Sequence, residues 1–369
     1  MYKNPFTPVF GSEPLYLAGR EKLILDVIKG LENDPGDPNR VTIFTGARGS
    51  GKTVLLSHIA SAAEGMGWIT AQVAASPDML SDLMDQVEKN GREFLPAPPS
   101  SRLSELTLGG FGVAREIQPP KQLGWRAQME LHLDALGAQN VGLLFTIDEV
   151  KAIEPELIRF VSIFQFFVRA RRNVALLMAG LPGNVVQMLQ VDSISFMRRA
   201  FQRTLDSLQQ PETRKLIRDT IETAGRSIDN PALKVAASAT SGLPFLVQLI
   251  GYYAFNQSNK KTISLADVTA GITDSREDMK NMVLEATLND LSEVEKRFLY
   301  AMATDRHESR VADIATRLGE SNQYVGTYRR RLISQGIIAP VGRGKLAFAM
   351  PMLRELLLED NIFSNQSAQ

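Results

Sequence analysis

The sequence contains no cysteine and only three histidines, and neither sign of charge prevails in it. The absence of cysteine excludes disulfide scaffolds, thiolate zinc sites and cysteine nucleophiles. The 41 basic residues balance 41 acidic ones, so no net charge draws the whole molecule to nucleic acid or to an anionic membrane. His58, His132 and His307 are too far apart in sequence to suggest a metal cluster.

Long hydrophobic runs are also missing. The most apolar stretches, such as residues 141–147 and 174–180, are much shorter than the roughly 18 residues that a membrane helix needs. The N-terminal residues lack the apolar segment of a secretory signal. We therefore expect a cytoplasmic protein with no attachment to a membrane.

The first half of the sequence alternates short β-rich segments with helical patterns, which is typical of an α/β fold with a parallel sheet flanked by helices. Prolines bracket a glycine-containing segment, 106–113, so residues 91–121 are predicted to be an insertion that forms a hairpin or a flexible flap. Beyond residue 204 the strand signals fade and helical patterns dominate. Strands are predicted at residues 41–45, 68–73, 141–147 and 174–179.

These patterns divide the chain into three predicted domains. An α/β domain at residues 1–208 is followed by a helical lid at 209–288. The last domain, 289–363, shows three helical patterns and then two short strands around Gly342-Arg343-Gly344. Three helices followed by a hairpin predict a winged helix-turn-helix domain.

One loop in the first half fits a phosphate-binding pattern. It lies between a strand and a helix, where its glycines can turn successive backbone N–H groups onto phosphates. Lys52 is predicted to reach the β- and γ-phosphates of ATP, and the Thr53 hydroxyl to bind Mg²⁺. The alternative is a glycine-rich turn without a ligand. The predicted phosphate-binding residues are Gly46, Ala47, Arg48, Gly49, Ser50, Gly51, Lys52, Thr53 and Val54.

Two acidic residues end the apolar strand at 141–147. Asp148 is predicted to bind Mg²⁺ through its water shell, and Glu149 to polarise a water for attack on the γ-phosphate. The alternative is an acidic N-cap for the next helix. Because phosphoryl transfer to water requires mainly positioning and charge neutralisation, these residues suffice for an ATPase core.

With the upstream segment Leu17-Ala18-Gly19-Arg20-Glu21, these motifs resemble P-loop ATPases of the AAA+ and STAND group. They are similar to archaeal and actinobacterial ATPases related to the origin recognition proteins. In that group a Gly-Arg-Glu turn lies near the adenine base, so the resemblance implies that Gly19 and Arg20 contribute to a base pocket. For Arg20 a surface salt bridge is the alternative.

The resemblance extends to the lid and to an arginine pair. Gly242-Leu243-Pro244 is similar to the Gly-x-Pro motif of STAND proteins, which implies that Pro244 approaches the nucleotide; a simple helix start is the alternative. Arg198 and Arg199 occupy the position where related enzymes place an arginine finger that reaches the γ-phosphate of a neighbouring subunit. A solvated helix face is the alternative for this pair.

Two departures from the AAA+ pattern favour slow hydrolysis, as in a switch. No arginine lies between Gly242 and Asn256, where AAA+ proteins carry their second sensor. The fourth strand ends without a polar side chain at the first-sensor position, for which Asn184 is a substitute from the following loop.

The C-terminal domain carries a local excess of basic residues. Internal packing on the nucleotide domain and contact with another protein are the alternatives to contact with duplex DNA. An oligomer of the chain would strengthen binding through so few cations. The predicted DNA-contacting residues are Gln323, Thr327, Arg330 and Arg331 on the third helix, and Arg343 and Lys345 on the hairpin.

The sequence therefore predicts an Mg-ATP-dependent switch that repositions a winged helix. The competing hypothesis is an initiator-like or mobile-element helper ATPase that assembles on duplex DNA. A small-molecule kinase is disfavoured because the lid lacks clustered arginines and a winged helix would serve no purpose there.

Overall fold

The computed structural model describes residues 2–9, 17–96, 123–151, 153–281, 287–288, 291–350 and 352–366. The predicted hairpin or flap at 106–113 lies outside these residues. The strands are β1 (Val41–Thr45), β2 (Ile69–Ala74), β3 (Leu143–Val150), β4 (Val174–Gly180), β5 (Phe201–Thr204), β6 (Ser227–Ile228), β7 (Thr262–Ile263), β8 (Ser309–Arg310), β9 (Ile338–Gly342) and β10 (Lys345–Phe348).

The helices follow the same chain order, with two 3₁₀ helices at Pro38–Arg40 and Asp192–Arg199. They are α1 (Glu21–Glu32), α2 (Lys52–Gly65), α3 (Met79–Asn90), α4 (Trp125–Ala138), α5 (Pro155–Arg169), α6 (Pro182–Met188), α7 (Gln210–Thr223), α8 (Asn230–Ala239), α9 (Pro244–Asn256), α10 (Leu265–Met279), α11 (Glu293–Ala303), α12 (Val311–Leu318), α13 (Asn322–Ser334) and α14 (Leu353–Gln366).

Five parallel strands form the main sheet in the order β2-β3-β4-β1-β5. Strand β3 sends Phe145 and Ile147 into the apolar cluster on one face and Leu144 into the cluster on the other. A parallel sheet buried on both faces explains why its strands read as continuous apolar runs. This sheet, flanked by helices, confirms the predicted α/β class.

The edge strand β5 was not predicted. Its four residues alternate between half-buried and exposed, and they include Gln202 and Arg203, so no apolar run marks the segment. Pairing with β1 supplies what the local pattern does not.

Helix α9 lies between two apolar clusters. Val247 and Phe255 belong to the cluster of the helical lid, which also draws on α7, α8 and α10. Leu246 and Leu249 belong to a second cluster, together with residues of the C-terminal unit, defined here as residues 291–366. The helix is apolar all round because it is buried on both sides.

The C-terminal unit contains α11, α12 and α13 and the three-stranded sheet β8-β10-β9. Val325 and Leu332 of α13 are fully buried, and Tyr328 packs against the same cluster, so the three share the buried face of the helix. Among the described residues, no helix is both long and apolar enough to cross a membrane.

Candidate nucleotide site

The predicted phosphate loop connects β1 to α2. Gly49 and Gly51 have φ of +75° and +88°, in the left-handed region that favours glycine. The Lys52 ammonium folds back over the loop and donates to the carbonyl oxygens of Gly46 and Ala47, at 2.9 and 2.8 Å. The loop is therefore closed around the side chain that the motif assigns to the phosphates.

The electrostatic surroundings of Lys52 favour the arrival of an anion. Burial lowers the pKa of Lys52 to about 8, and the neighbouring Arg48 lowers it too, against the opposing effect of Asp148 and Glu149. A phosphate oxygen stabilises a buried ammonium with this pKa more than it would stabilise a solvated ammonium, because the anion favours the charged form.

The two residues predicted to hold Mg²⁺ lie in contact. The Thr53 hydroxyl donates to Asp148 Oδ2 at 2.5 Å, although the residues are 95 positions apart in sequence. A hydroxyl and a carboxylate side by side are the hard oxygen ligands that Mg²⁺ takes beside phosphate oxygens and water. The described residues contain no cluster of three or more acidic or histidine ligands, so these two oxygens fit a nucleotide-borne Mg²⁺ rather than an all-protein cage.

A β-bulge positions the second acid. The pairing of β3 with β4 shifts by one residue between Ile147 and Val150, which face Met178 and Gly180. Inside the bulge Glu149 has φ of +51°, a conformation that a non-glycine residue rarely takes. Bulges turn a side chain out of the regular alternation, and this one directs the Glu149 side chain into a cavity beside the phosphate loop.

That cavity, about 390 Å³ in volume, is where an attacking water would be placed. It is lined by Arg48, Glu149 and Asn184, the last from α6, and by two residues that the sequence analysis missed, Lys151 and Met350. Lys151 lies two positions after the acidic pair, a spacing that could have drawn attention to it. Met350 belongs to the C-terminal unit, and no local pattern indicates its approach.

A second cavity, of about 190 Å³, extends from the other side of the loop and suits a nucleoside base. It is lined by Arg20, which the resemblance assigns to a base pocket, by Val54 from the predicted phosphate-binding segment and by Pro244, which the resemblance places near the nucleotide. Arg20 Nη2 also donates to the carbonyl oxygen of Asp206 at 2.5 Å. Burial lowers the pKa of Arg20, while the carboxylates of Asp206 and Glu212 oppose the change.

Gly19 does not line this cavity. Its φ of +70° forms the turn before α1, and a β-carbon there would lie 2.9 Å from Leu208 Cδ2. The conformation and the close neighbour both require glycine at this position.

The lid helix α9 begins at the phosphate loop. Its first residue is Pro244, and a β-carbon on Gly51 would lie 3.9 Å from Pro244 Cγ. The backbone N–H of Phe245 donates to the carbonyl oxygen of Gly49 at 3.3 Å. The nucleotide cavities are therefore bounded by the loop on one side and by the start of the lid helix on the other.

The arginine pair lies away from both cavities. Arg198 Nε donates to the carbonyl oxygen of Leu189 at 2.8 Å. Arg199 is exposed and lines a separate apolar groove together with Phe196 and Val168. Neither side chain lines a nucleotide cavity of its own chain.

The predicted DNA-contacting residues are distributed over the exposed side of α13 and a groove beside the hairpin. Gln323, Arg330 and Arg331 are exposed on α13, and Thr327 is half-buried. Arg343 and Lys345 instead line a groove between the hairpin and a different face of α13, and Lys345 pairs with Glu308. The groove also contains side chains that were not predicted, namely Arg310, Asn322 and Arg329.

The C-terminal unit packs directly on the phosphate loop. A β-carbon on Gly183 in α6 would lie 1.8 Å from Ser334 Cβ at the end of α13, so the two helices are in close contact. At Gly336 an added β-carbon would lie 3.5 Å from Ala47 Cα in the loop and 3.7 Å from Leu181. The turn 334–336 therefore lies against both the phosphate loop and the segment after β4.

Comparisons with known proteins agree with this architecture. A domain of unknown function (DUF8462) matches residues 281–357. No curated protein matches the chain by sequence. The fold is similar to that of the Walker-type ATPase of Pyrococcus abyssi, with a TM-score of 0.68, 14% identity and coverage of 92% of this chain and 96% of that one.

Two further structures are similar over almost the whole chain. The ORC2 protein of Aeropyrum pernix, solved as ADPNP-ADP complexes, gives a TM-score of 0.65 at 14% identity and covers 98% of each chain. Cdc6p of Pyrobaculum aerophilum gives 0.50 at 14% identity, with 96% of this chain and 97% of that one covered. The chain therefore has the fold of the AAA+ P-loop ATPases that are related to the origin recognition proteins.

Proposed function

We propose that the chain binds Mg-ATP, hydrolyses it slowly and acts as a nucleotide-driven switch that repositions a C-terminal winged helix. One observation carries the proposal: the turn 334–336 rests on Ala47 of the phosphate loop and on the segment after β4. A ligand that rearranges the loop therefore acts directly on the contact between the phosphate loop and the C-terminal unit.

The hydrogen bonds of Lys52 supply a physical link between ligand and unit. Its ammonium donates to the carbonyl oxygens of Gly46 and Ala47. A phosphate competes for the same ammonium, and a charge-assisted bond to an anion is stronger than one to a neutral carbonyl. Ala47 then loses a partner at the place where Gly336 rests, so binding at the loop biases the contact.

The remaining site residues have roles that follow from their positions. Thr53 and Asp148 hold Mg²⁺, which neutralises charge on the phosphates. Glu149 accepts a proton from water in the cavity that Asn184 and Lys151 also line. No arginine lies in the first part of α9, and the first polar side chain after β4 is that of Asn184, on α6. Transition-state charge is therefore only partly compensated, and turnover is slow.

The test combines binding, turnover and exchange. In Lys52→Ala we expect ATP affinity, measured by calorimetry, to fall by about 100-fold, because a charge-assisted contact is lost. In Glu149→Gln we expect ATP binding to be retained and turnover to fall by about 10²-fold or more. Hydrogen exchange at residues 334–336 is expected to change on addition of Mg-ATP in the wild type and not in Lys52→Ala; unchanged exchange in both would contradict the switch.

A second candidate function is a DNA-bound initiator-like or mobile-element helper ATPase. The groove beside the hairpin supports it, because Arg310, Arg329, Arg343 and Lys345 converge there and phosphate contacts favour such cations. Duplex DNA at low salt is then expected to stimulate hydrolysis. Arg329→Ala with Arg343→Ala is expected to abolish the stimulation, while Arg330→Ala with Arg331→Ala leaves most of it, because those side chains lie outside the groove.

Partners are part of the same proposal. Arg198 and Arg199 lie outside their own nucleotide cavities, so either acts as a finger only in a homo-oligomer, on the γ-phosphate of a neighbouring copy. Light scattering with and without Mg-ATP tests this, together with Arg199→Ala. If the chain is a monomer in both conditions, the partner of the C-terminal unit is instead another protein. The location that we propose for the chain is cytoplasmic.

A further inference from the structure

An N-terminal strap, residues 2–9, lies along the lid helix α9. Asn4 Nδ2 donates to the Tyr252 carbonyl oxygen and to Asn256 Oδ1, both at 2.9 Å. Phe6 is buried in the lid cluster, and its ring occupies the space that a side chain at Gly251 would need, since a β-carbon there would lie 2.4 Å from Phe6 Cε1. The strap is therefore held in a defined position on the helix.

The strap fixes the orientation of one amide in the base cavity. The backbone N–H of Thr7 donates to Gln248 Oε1 at 2.9 Å. Because an N–H requires an acceptor, this bond decides which end of the Gln248 amide is the oxygen. The Nε2 end then remains as a donor, with no hydrogen-bond partner among the residues that the structure describes, while Gln248 is 8% exposed and lines the base cavity.

Two other polar side chains outside the phosphate loop line the cavity. The Thr7 hydroxyl is buried, has no hydrogen-bond partner among the described residues, and can donate or accept. Arg20 lines the same cavity and has no acceptor atoms. Val54, Leu216 and Pro244 supply apolar surface. Within the described residues, no carboxylate lines this cavity. Its side chains therefore suit a base that offers hydrogen-bond acceptors and few donors.

We propose that Gln248 reads the base, donating from Nε2 to a ring nitrogen, and that the site prefers an adenine to a guanine nucleotide. Adenine carries a single amino donor, whereas guanine carries both an N1–H and an amino group. A donor buried without an acceptor is costly. The Thr7 hydroxyl can accept from the one amino group of adenine, whereas guanine brings two donor groups to a cavity in which Gln248 Nε2 and Arg20 only donate, so the cavity disfavours guanine. This inference rests on the proposed function, because it assumes that the loop binds a nucleotide.

Two substitutions separate base reading from phosphate binding. Gln248→Glu keeps an acceptor for the Thr7 N–H but replaces the free donor by an acceptor. Gln248→Met removes both polar ends at similar size. Because a new charge affects all polyphosphates, affinities of Mg²⁺ complexes of ATP, GTP and inorganic tripolyphosphate are measured by calorimetry on the full chain. Gln202→Glu, at an exposed position of the edge strand β5, is the matched charge control.

We expect the wild type and Gln202→Glu to bind ATP more tightly than GTP. In Gln248→Glu the ratio of ATP to GTP affinity is expected to fall by about tenfold, because the carboxylate oxygen that replaces Nε2 cannot donate to the adenine ring nitrogen but can accept from guanine. In Gln248→Met, ATP affinity falls by a similar factor while tripolyphosphate affinity is unchanged.

Two other results would overturn the inference in different ways. An unchanged ratio of ATP to GTP affinity in both variants would show that Gln248 does not read the base, with the proposed ATPase intact. A wild type that binds none of the three compounds would overturn the proposed function, and base reading with it.

Discussion

Glu149 combines an exposed carboxylate with a left-handed backbone conformation, which is unusual for a residue other than glycine. A non-glycine residue in that conformation costs about 1–3 kcal/mol. The bulge that imposes the conformation also points the carboxylate into the cavity beside the phosphate loop. The strain and the proposed chemical role therefore have the same structural cause.

A substitution that relieves this strain is therefore expected to increase stability and to remove activity. Glu149→Gly is expected to raise the free energy of unfolding by about 1 kcal/mol, because glycine relieves the strain, and to abolish hydrolysis. Urea denaturation of the nucleotide-free protein measures the first effect. Glu149→Ala is the control: it removes the same carboxylate but keeps the unfavourable φ, so it should not gain stability. A gain of equal size in both variants would locate the cost in the carboxylate instead.

The lowered pKa of Lys52 predicts how nucleotide binding depends on pH. In the free protein the ammonium loses its proton around pH 8. A bound phosphate stabilises the charged form and raises this pKa, so binding takes up a proton above pH 8 and weakens as pH rises. We expect ATP affinity to fall by about tenfold between pH 7 and pH 9. Calorimetry in buffers of different ionisation enthalpy at pH 8.5 detects the proton directly; no uptake would contradict the burial of Lys52.

Single residues also show what sequence can and cannot supply. The contact of Thr53 with Asp148 was predictable, because a phosphate-loop motif and an acidic strand end are local patterns whose geometry is fixed by the sheet. The bond from Thr7 to Gln248 joins residues 241 positions apart, and neither belongs to a pattern. Met350 was missed for the same reason.

Helix α9 connects three parts of the described structure. It begins at the phosphate loop, carries Gln248 into the base cavity and supports the N-terminal strap. Its apolar sequence predicts a buried helix, but an apolar pattern cannot say which partners cover which face. The structure shows that Val247 faces the lid cluster and that Leu246 and Leu249 face the C-terminal unit.

The fit of the strap to α9 can be tested at one glycine. Gly251→Ala places a methyl group against the Phe6 ring, which must move, and Thr7 moves with it. We expect about tenfold weaker ATP binding and faster proteolysis of residues 2–9, because the amide of Gln248 loses its fixed orientation. Gly137→Ala in α4, where no atom lies within 4 Å of the added group, is the control. Equal ATP affinity in the two variants would show that the strap plays no part in binding.

At the scale of the whole molecule, the distinctive feature is that the C-terminal unit packs against the nucleotide site. Contact is made at positions 183 and 336, where glycine leaves room for the neighbouring chain. Sequence analysis raised internal packing of this unit as one of three alternatives. It could not choose among them, because such a contact depends on the relative placement of units distant in sequence.

A single added methyl group is expected to weaken the contact between α6 and α13. Gly183→Ala places a carbon 1.8 Å from Ser334 Cβ, much closer than any real contact, so α6 and α13 must separate. We expect hydrogen exchange at residues 334–336 to become about tenfold faster without nucleotide, with the main sheet unaffected. Gly137→Ala serves again as the matched change. Unaltered exchange in Gly183→Ala would indicate that the unit is not held at this point.

The shared cluster around α9 has a consequence for how the protein unfolds. Leu246 and Leu249 complete the core of the C-terminal unit from outside its own sequence. A fragment starting at Leu291 would expose that core and tend to aggregate, whereas one starting at Gly242 would retain its cover. The lid and the C-terminal unit are therefore expected to unfold in one cooperative transition. They form a single folding unit, despite the domain boundary that their sequence patterns suggest.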